Sequence, residues 1–573
     1  MLKFRNFLFL LILLGGMQGI FAQDHSSGHE VTTVWVFFKD KGSDNEHLLQ
    51  KPTALLSERA LQRRLKVLPA NARIDERDLP VNVEYVQALA AHVSKIRVQS
   101  RWLNAVSVET GSAGIADIQA LPFVEKVQPV QVYRRERPVE EPVIRYRPPS
   151  LPKTGVDLDY GVSATQLNQI NVPALHRMGY YGQGVIIAML DDGFNLLNYH
   201  ITFDSLNVLD TWDFINDDAS VDDSGLDATE GWHGTKTLST IAGYTPGQLI
   251  GPAFKASFLL AKTEVNSSET PIEEDYWVAG LEWAEGKGAD IVSSSLGYID
   301  WYTWEDMDGE TAVTTIAADL AVERGVIVVN SAGNEGYNEL QNTLIAPADG
   351  KKVIAVGAVT SENIRSSFSS VGPTADGRIK PDVAAMGSSV YVASSVDSLG
   401  FGYSSGTSFS CPLTSGAIAL LLSAYPDLTP PQVYQAITST ASQAANPDNL
   451  LGYGILDIEA AYYALDSAHL EWKKRTLLPG FIYLEQNYPN PFNPKTTIAY
   501  ILDNTADVTI NIYDLQGRLV RSFAQGLRNR IMRHTFTHEF NDLASGVYIY
   551  QVAVWETETG LTHQKAGKMI LIK

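Results

Sequence analysis

Four polar residues of this sequence could carry out chemistry together, because each one falls where an apolar segment ends or a helix begins. Asp191 follows the apolar run "GVIIAML", and Asn334 ends the run "GVIVVNSAGN". His233 opens the small-residue helical pattern "HGTKTLSTIAG", and Ser408 opens the pattern "SFSCPLTSGAIALLL". In an α/β sheet, functional groups gather at the carboxyl ends of the strands, so we expect these side chains to lie close together.

Their types fit nucleophilic catalysis. A serine such as Ser408 is a weak nucleophile until a histidine takes its proton, and a carboxylate such as Asp191 holds that histidine in the right tautomer. Asn334 and the Ser408 N–H would bind a developing oxyanion. Taken singly, Asp191 could be a helix cap, His233 a core residue and Asn334 a turn former; the four together favour catalysis.

Cys411, the only cysteine, is a rival nucleophile three residues after Ser408. It lies between Ser410 and Pro412, at the packed start of the predicted helix. A buried thiol behaves as a small apolar side chain. The sequence therefore favours Ser408 as the nucleophile, and a single cysteine excludes an intrachain disulfide.

Residues 161–465 predict the fold that positions these groups. Apolar segments alternate there with helical patterns such as "WVAGLEWAEGKG", "VTTIAADLAVERG" and "PPQVYQAITSTA". Strands that are apolar throughout are buried on both faces, which is typical of a parallel sheet. We therefore expect an α/β fold with a doubly wound, mostly parallel sheet.

The flanking segments have different patterns. Residues 31–135 mix β-rich and helical stretches and predict a small α+β domain. Residues 136–160 are rich in proline and charge and predict an exposed linker. Short alternating strands with Gly, Asn and Asp turns in residues 484–573 predict a small β-sandwich.

The N-terminal segment and the charge distribution limit the functions that the chain could have. Basic residues, an apolar stretch and a small residue, Ala22, make residues 1–22 a predicted secretory signal peptide. The net charge is −21, distributed as +3 over residues 31–140, −25 over residues 141–480 and +1 over residues 481–573. An acidic central segment argues against nucleic acid or an anionic membrane as its partner.

The segments "AMLDDGF", "HGTKTLSTIAG" and "GTSFSCP" resemble, in sequence and in order, the active-site segments of the subtilisin family of serine peptidases. The resemblance covers residues 170–465 and implies the doubly wound fold and the hydrolysis of peptide bonds. It also implies Asp191 as orienting acid, His233 as base, Ser408 as nucleophile and Asn334 as oxyanion donor.

The segment "SSSLG" resembles the family's segment that pairs with the substrate backbone as an added strand. Ser295, Leu296 and Gly297 are therefore expected to line the cleft, and Gly333 is expected to bind substrate as well. Asp192 departs from the family, which usually has Thr or Ser there, and we interpret it as a solvated turn residue.

Residues 31–135 resemble the inhibitory propeptides of subtilisin-type zymogens. Their net charge is positive and that of residues 141–480 is negative, which is consistent with electrostatically steered docking of one segment on the other. We expect Ser408 to cut between about Val139 and Gly161, and we favour the proline-free run of residues 153–161 within that range. The alternative is an unrelated small domain or a permanent N-terminal extension.

The C-terminal segment resembles the sorting domain of the type IX secretion system through "YPNPFNPKTTI", "INIYDLQGRLV", "LASGVYIYQV" and the terminal Lys573. This resemblance implies the type IX machinery as a partner and a secreted or cell-surface location.

Two acidic tracts, "DTWDFINDDASVDDSGLDATEG" and "EDMDGE", could hold structural calcium. Neither completes the twelve-residue calcium-loop pattern, so solvated loops are favoured. The chemistry itself is expected to need no cofactor and no metal.

The predicted function is a secreted serine endopeptidase that acts on protein or peptide substrates and has its own propeptide as inhibitor. One alternative is a catalytically idle surface binding protein with the same fold, and the intact set of four residues argues against it. Another is an acid-acting relative with a carboxylate in place of the histidine, and His233 and Asn334 argue against that enzyme.

Overall fold

The computed structural model describes residues 31–42, 45–130, 158–223, 231–265, 272–466, 482–502, 506–528, 533–556 and 562–573. We call residues 31–130 the N-terminal unit, residues 158–466 the central unit and residues 482–573 the C-terminal unit. The predicted signal peptide lies outside the described residues, as does most of the predicted linker.

The N-terminal unit is an antiparallel sheet with helices, in the strand order β2-β3-β1-β4. Alternate residues of its strands, such as Val34, Val36, Val106 and Val108, are fully buried and form its core. The alternation arises because successive side chains of a strand point to opposite faces. Its elements are β1 (Val31–Phe38), α1 (Glu58–Arg64), α2 (Val83–Leu89), β2 (Lys95–Ser100), β3 (Ala105–Gly111), α3 (Ser112–Gln119) and β4 (Val124–Val130).

The first half of the central unit alternates strands and helices, as the sequence patterns predict. Its elements are α4 (Ala164–Gln169), α5 (Val172–Arg177), β5 (Ile186–Asp191), β6 (Asn207–Asp213), α6 (Trp232–Ala242), β7 (Tyr244–Thr245), β8 (Leu249–Ile250), β9 (Ser257–Lys262), α7 (Ile272–Lys287) and β10 (Ile291–Ser294).

The second half continues the alternation and ends in two helices. Its elements are α8 (Val313–Glu323), β11 (Ile327–Ser331), β12 (Ile354–Val359), β13 (Val383–Met386), β14 (Val390–Ala393), β15 (Phe401–Ser404), α9 (Thr407–Ala424) and α10 (Pro430–Thr440).

Seven strands of the central unit form one sheet in the order β13-β12-β11-β10-β5-β9-β6, and every pairing in it is parallel. The chain passes from β5 to one side of the sheet and returns to the other side at β10. A crevice therefore opens beyond the carboxyl ends of β5 and β10, where ligands bind in open α/β sheets. The predicted doubly wound parallel sheet is confirmed.

Both faces of this sheet are covered by helices. In β5, Ile187 and Met189 belong to one apolar core, which includes Leu238 of α6 and Ile418 of α9. The intervening residues of β5 belong to the other core, with Trp277 of α7. Burial on both faces explains why the strands are apolar throughout rather than alternating.

The C-terminal unit consists of two antiparallel sheets, β16-β17-β20 and β19-β18-β21-β22. Ile498 and Leu502 of the first sheet share one buried core with Val508, Ile510 and Val552 of the second, which makes the unit a β-sandwich. Its strands are β16 (Ile482–Leu484), β17 (Lys495–Leu502), β18 (Ala506–Tyr513), β19 (Leu519–Arg528), β20 (Arg533–Glu539), β21 (Gly546–Glu556) and β22 (Thr562–Leu571).

Helix α9 runs through the interior of the central unit and carries Cys411 on its second turn. The Cys411 side chain is fully buried, and its thiol donates to the backbone carbonyls of Ser294 at 3.3 Å and Val329 at 3.4 Å. Burial raises the pKa of the thiol to about 12. Cys411 is therefore a packed core residue, as its position in the sequence suggests.

We expect the Cys411 thiol to resist a maleimide at pH 8 while the chain is folded. With a pKa of about 12, roughly one thiol in 10⁴ is ionised at that pH, and the side chain has no contact with solvent. Mass spectrometry should find the folded chain unlabelled and the denatured chain labelled once. Stoichiometric labelling of the folded chain would show that Cys411 is an accessible, reactive thiol.

Candidate active site

Asp191 is the last residue of β5 and is completely buried at the crevice edge of the sheet. Its Oδ1 atom lies 2.7 Å from Nδ1 of His233, and its Oδ2 atom accepts the hydroxyl hydrogen of Thr237 at 2.8 Å. A buried carboxylate is costly unless it is paired and hydrogen-bonded. Both oxygens are held here, so the carboxylate is oriented from two sides.

His233 is the second residue of α6, and its contact with Asp191 determines which ring nitrogen carries the hydrogen. An ionised carboxylate accepts the hydrogen of Nδ1–H, which leaves Nε2 as the proton acceptor of the imidazole. The helix start lies directly on the end of β5, since a Cβ on Gly234 would be 2.0 Å from the Gly193 carbonyl oxygen. Only glycine permits this approach, which confirms the close packing that the sequence suggests at this position.

Asp192 has a structural task that the sequence analysis missed. Its side chain is buried, with Oδ2 accepting the backbone N–H of His233 at 3.1 Å and Oδ1 that of Gly234 at 2.8 Å. These N–H groups belong to the first turn of α6 and have no partner within the helix. The prediction of a solvated turn residue is therefore wrong: Asp192 caps α6 from β5.

Ser408 lies in the first turn of α9, as predicted, and is 8% exposed. Its hydroxyl donates to the Ser295 carbonyl at 3.3 Å, and the Ser295 hydroxyl donates to the Ser408 carbonyl at 2.8 Å. The imidazole of His233 lies beside this turn, with its centroid 6.0 Å from the ring centroid of Phe409. The structure thus brings His233 to the helix start that carries Ser408.

Asn334 follows β11 by three residues and is bound to the same helix start. Its Oδ1 atom accepts the backbone N–H of Thr407 at 2.9 Å and the Thr407 hydroxyl at 3.0 Å. With the oxygen held by two donors, the Nδ2 group is oriented as a donor. Asn334 Nδ2 and the Ser408 backbone N both lie 3.7 Å from the position that a Cβ on Gly406 would occupy. Two N–H donors therefore border one small space beside Ser408.

The "SSSLG" segment consists of the last two residues of β10 and the three residues that follow them. Ser295 and Leu296 are almost fully buried, and the Leu296 carbonyl accepts a hydrogen bond from Asn330 Nδ2 at 2.9 Å. Gly297 follows them into the crevice edge. Gly333 has a φ of 115° and accepts an N–H hydrogen bond through its carbonyl at 3.0 Å. All four predicted substrate residues lie near the crevice, and their contacts with substrate stay a prediction.

Charged groups around the site have protein partners. Asp191, Asp192 and His233 are the one group among the described residues whose ligand atoms are close enough to hold a metal ion, within 4.8 Å of one another. Both oxygens of each carboxylate already accept the hydrogen bonds given above. In the first acidic tract, Lys262 Nζ lies 3.4 Å from Asp213 and 2.6 Å from Asp223. These contacts orient His233 and pair charges of the first acidic tract.

Two further side chains position the site without being predicted. Thr237 lies four residues after His233, one turn along α6, and its hydroxyl holds Asp191. Thr407 precedes Ser408 and holds Asn334. The spacing of Thr237 was a usable signal, because residues i and i+4 of a helix share a face.

The cap formed by Asp192 can be tested by its effect on stability. We expect Asp192→Ala, in a chain that also carries Ser408→Ala, to lower the free energy of unfolding of the central unit by about 1–2 kcal/mol. Asp192→Asn keeps one acceptor oxygen and should lose less. Denaturant unfolding measures both changes, with the exposed Asp204→Ala as control. An Asp192→Ala chain as stable as its parent would show that this cap contributes nothing.

Comparison with known proteins assigns all three units. The Subtilase family model matches residues 182–454, and the model of the Peptidase S8 propeptide domain of Bacteroidota matches residues 33–142. The Secretion system C-terminal sorting domain matches residues 486–564. The last match indicates export by type IX secretion to the cell surface or the extracellular space.

Individual relatives agree with these models. Subtilisin NAT of Bacillus subtilis subsp. natto is 30% identical over 368 residues, which cover 64% of this chain and 83% of the relative. Subtilisin DY of Bacillus licheniformis is 34% identical over 295 residues, covering 51% of this chain and 96% of the relative. Among solved structures, the proteases from Pseudoalteromonas arctica PAMC 21717 superpose with a TM-score of 0.43 at 24% identity, covering 54% of this chain and 99% of theirs. The chain belongs to the subtilase family and is a subtilisin-like serine endopeptidase that carries a propeptide domain before the peptidase domain and a sorting domain after it.

Proposed function

We propose that the chain is a secreted, self-processing zymogen that cuts peptide bonds through a triad of Asp191, His233 and Ser408. The observation that carries the proposal is the buried hydrogen bond between Asp191 and His233 Nδ1, 2.7 Å long, beside the helix start that bears Ser408. In this arrangement the ring nitrogen opposite Asp191 can take a proton, and the Ser408 hydroxyl belongs to the helix start beside the imidazole.

The first half of the reaction forms an acyl-enzyme. His233 Nε2 removes the proton from Ser408 Oγ as the oxygen attacks the scissile carbonyl carbon. The carbonyl oxygen becomes negative and accepts hydrogen bonds from Asn334 Nδ2 and the Ser408 N–H, assisted by the dipole of α9. Protonated His233, stabilised by Asp191, then gives its proton to the leaving amine as the carbon–nitrogen bond breaks.

The second half returns the enzyme to its starting state. Water takes the place of the amine, and His233 removes a proton from it as it attacks the acyl carbon. The same two donors hold the oxyanion a second time, and Ser408 recovers its proton when the ester bond breaks. No metal or cofactor takes part in these steps.

The substrate is proposed to be an extended peptide added beside Ser295, Leu296 and Gly297. Main-chain pairing gives affinity for any extended segment, while side-chain pockets select among sequences. Gly333 is proposed to line the cleft next to the oxyanion donors. These assignments rest on the position of the segment at the carboxyl end of β10, where Ser295 and Ser408 exchange hydrogen bonds.

The linker between the N-terminal and central units is proposed to be the first substrate. We expect the cut to precede the first residues whose hydrogen bonds attach them to the central unit. The Asp159 carbonyl accepts the Gly247 N–H at 2.7 Å, and the Tyr160 hydroxyl lies 2.8 Å from His176 Nδ1. These contacts narrow the cut expected within residues 153–161 to residues 153–158.

We expect Ser408→Ala to abolish peptide hydrolysis, with a loss in kcat of about 10⁶, a magnitude measured for triad deletion in subtilisin itself. Asn334→Leu should cost less, on the order of 10²–10³, which is also a subtilisin value. Steady-state kinetics on a peptide library measures both, with circular dichroism as the control for folding. A folded Ser408→Ala chain with undiminished turnover would refute the triad, and an inactive native chain would favour the idle binding protein.

We also expect the mature N-terminus to fall within residues 153–158 and the cut to require Ser408. N-terminal sequencing of the secreted protein gives the position. The Ser408→Ala chain, expressed in a host without other proteases, should keep its linker intact. Trimming of that variant in the linker would rule out self-processing, and a mature N-terminus before residue 31 would make the N-terminal unit a permanent domain.

A further inference from the structure

The two glycines that are expected to contact substrate, Gly297 and Gly333, lie against the same side chain. A Cβ on Gly297 would be 2.2 Å from Cδ1 of Ile345, and a Cβ on Gly333 would be 2.9 Å from Cγ2 of Ile345. Carbon atoms in van der Waals contact are roughly 3.5–4.0 Å apart, so neither position has room for a side chain of its own. Ile345 therefore occupies the space that both glycines leave open.

The backbone of Ile345 is held from two sides. Its N–H donates to the carbonyl of Ala332 at 3.3 Å, in the segment that follows β11. The next residue, Ala346, exchanges two N–H hydrogen bonds with Tyr298, each 2.9 Å long, in the segment that follows β10. Isoleucine is branched at Cβ, which restricts rotation about χ1. The side chain is thus fixed between the two segments.

The Ile345 side chain faces the crevice. Its neighbours Leu344 and Ala346 have no exposed surface and belong to one buried cluster, whereas Ile345 is partly exposed. Successive residues of a segment that is paired like a strand point to opposite sides. Ile345 therefore forms an apolar surface at the crevice, between the segments that follow β10 and β11.

The proposed binding mode brings one substrate side chain to this surface. The scissile carbonyl lies at Ser408 with its oxygen beside Asn334 Nδ2, while the substrate backbone pairs with residues 295–297. The residue that supplies this carbonyl then has the segment after β10 on one side and the segment that leads to Asn334 on the other. Its side chain enters between these segments, where it meets Ile345.

We propose that Ile345 determines the substrate class, which consists of peptides with a small side chain, such as that of Gly, Ala or Ser, in the residue before the scissile bond. This inference rests on the proposed function. A large side chain would have to displace an isoleucine whose backbone is held on both sides. Forcing additional methylene groups into a space that is already filled is unfavourable.

The size limit is tested with peptides that differ only in the residue before the scissile bond, which is Gly, Ala, Leu or Phe. The secreted parent should have a kcat/KM for the Ala peptide that exceeds the value for the Phe peptide on the order of ten- to a hundred-fold. Ile345→Ala removes the side chain beyond Cβ and should raise kcat/KM for the Phe peptide by about tenfold or more. The same change should affect the Ala peptide far less.

Two further variants keep this test decisive. Ile316→Ala is the matched control, because Ile316 is a partly exposed residue of α8, in the helix layer that covers the sheet. It should keep the parent's preference. Ile345→Val removes only the terminal methyl group, serves if Ile345→Ala does not fold, and should raise kcat/KM for the Leu peptide several-fold. A parent that prefers Phe to Ala, or folded Ile345 variants with an unchanged preference, would refute the inference.

A binding measurement separates this inference from the proposed function. Fluorescently labelled product peptides that end in Ala or in Phe are added to the secreted chain, and fluorescence anisotropy gives their affinities. The Ala peptide should bind more tightly to the parent, and Ile345→Ala should remove this difference. A chain that hydrolyses none of the peptides would refute the proposed function. The affinities would still decide the role of Ile345, since equal results for the Ala and Phe peptides with the parent would overturn it.

Discussion

The buried carboxylate of Asp191 constrains the arrangement of everything around it. A charge without access to solvent at the end of a strand is tolerated only if donors reach both of its oxygens. His233 and Thr237 supply them from α6, and α6 can approach only because glycine opens the contact with β5. The need to satisfy one charge therefore fixes a helix against a strand, and with it the orientation of the imidazole.

A second helix start completes the same edge of the sheet. Helix α9 packs against α6 and against the strands β10 to β13, and it begins at the crevice. Asn334, from the loop after β11, is bound through Thr407 to this first turn. The proposed nucleophile, base and donors thus come from different elements, but each is attached by hydrogen bonds to a neighbour that is itself buried. Such attachment keeps reacting groups within the small tolerances that catalysis needs.

The parts of the structure that local pattern determines were predictable from the sequence. The apolar runs at β5 and β11 predicted the parallel sheet because strands buried on both faces have no polar alternation. The four candidate catalytic residues were identifiable since Asp191 and Asn334 end such runs, while His233 and Ser408 open helical patterns. The role of Asp192 was not, because its partners His233 and Gly234 come from a segment about forty residues later.

Helix α1 shows even more clearly that a local sequence pattern does not reveal a partner that is distant in sequence. The pattern "ERALQRRLKVL" predicts a helix whose arginines would ordinarily be solvated. Arg64 is buried because it pairs with Asp78 and with Glu285, which is 221 residues away in sequence. A pattern within eleven residues carries no information about such a distant partner. The net charges of residues 31–140 and 141–480 predicted that the two segments attract each other. They could not predict that some of these charges form buried, bidentate pairs.

Two buried carboxylates of the central unit, Asp191 and Glu285, differ in whether their partners belong to the same unit. The partners of Asp191 belong to its own unit, whereas the partners of Glu285 belong to the N-terminal unit. Under the proposed self-processing, the Asp191 pair would remain and the Glu285 pairs would separate. Loss of these arginines leaves α7 with unpaired acidic groups on a unit that is already strongly negative. Return of the basic unit would then be accelerated by long-range attraction, which salt screens over about 10 Å. Separation of the units would depend instead on desolvated pairs, which salt screens little, so association and dissociation would respond differently to ionic strength.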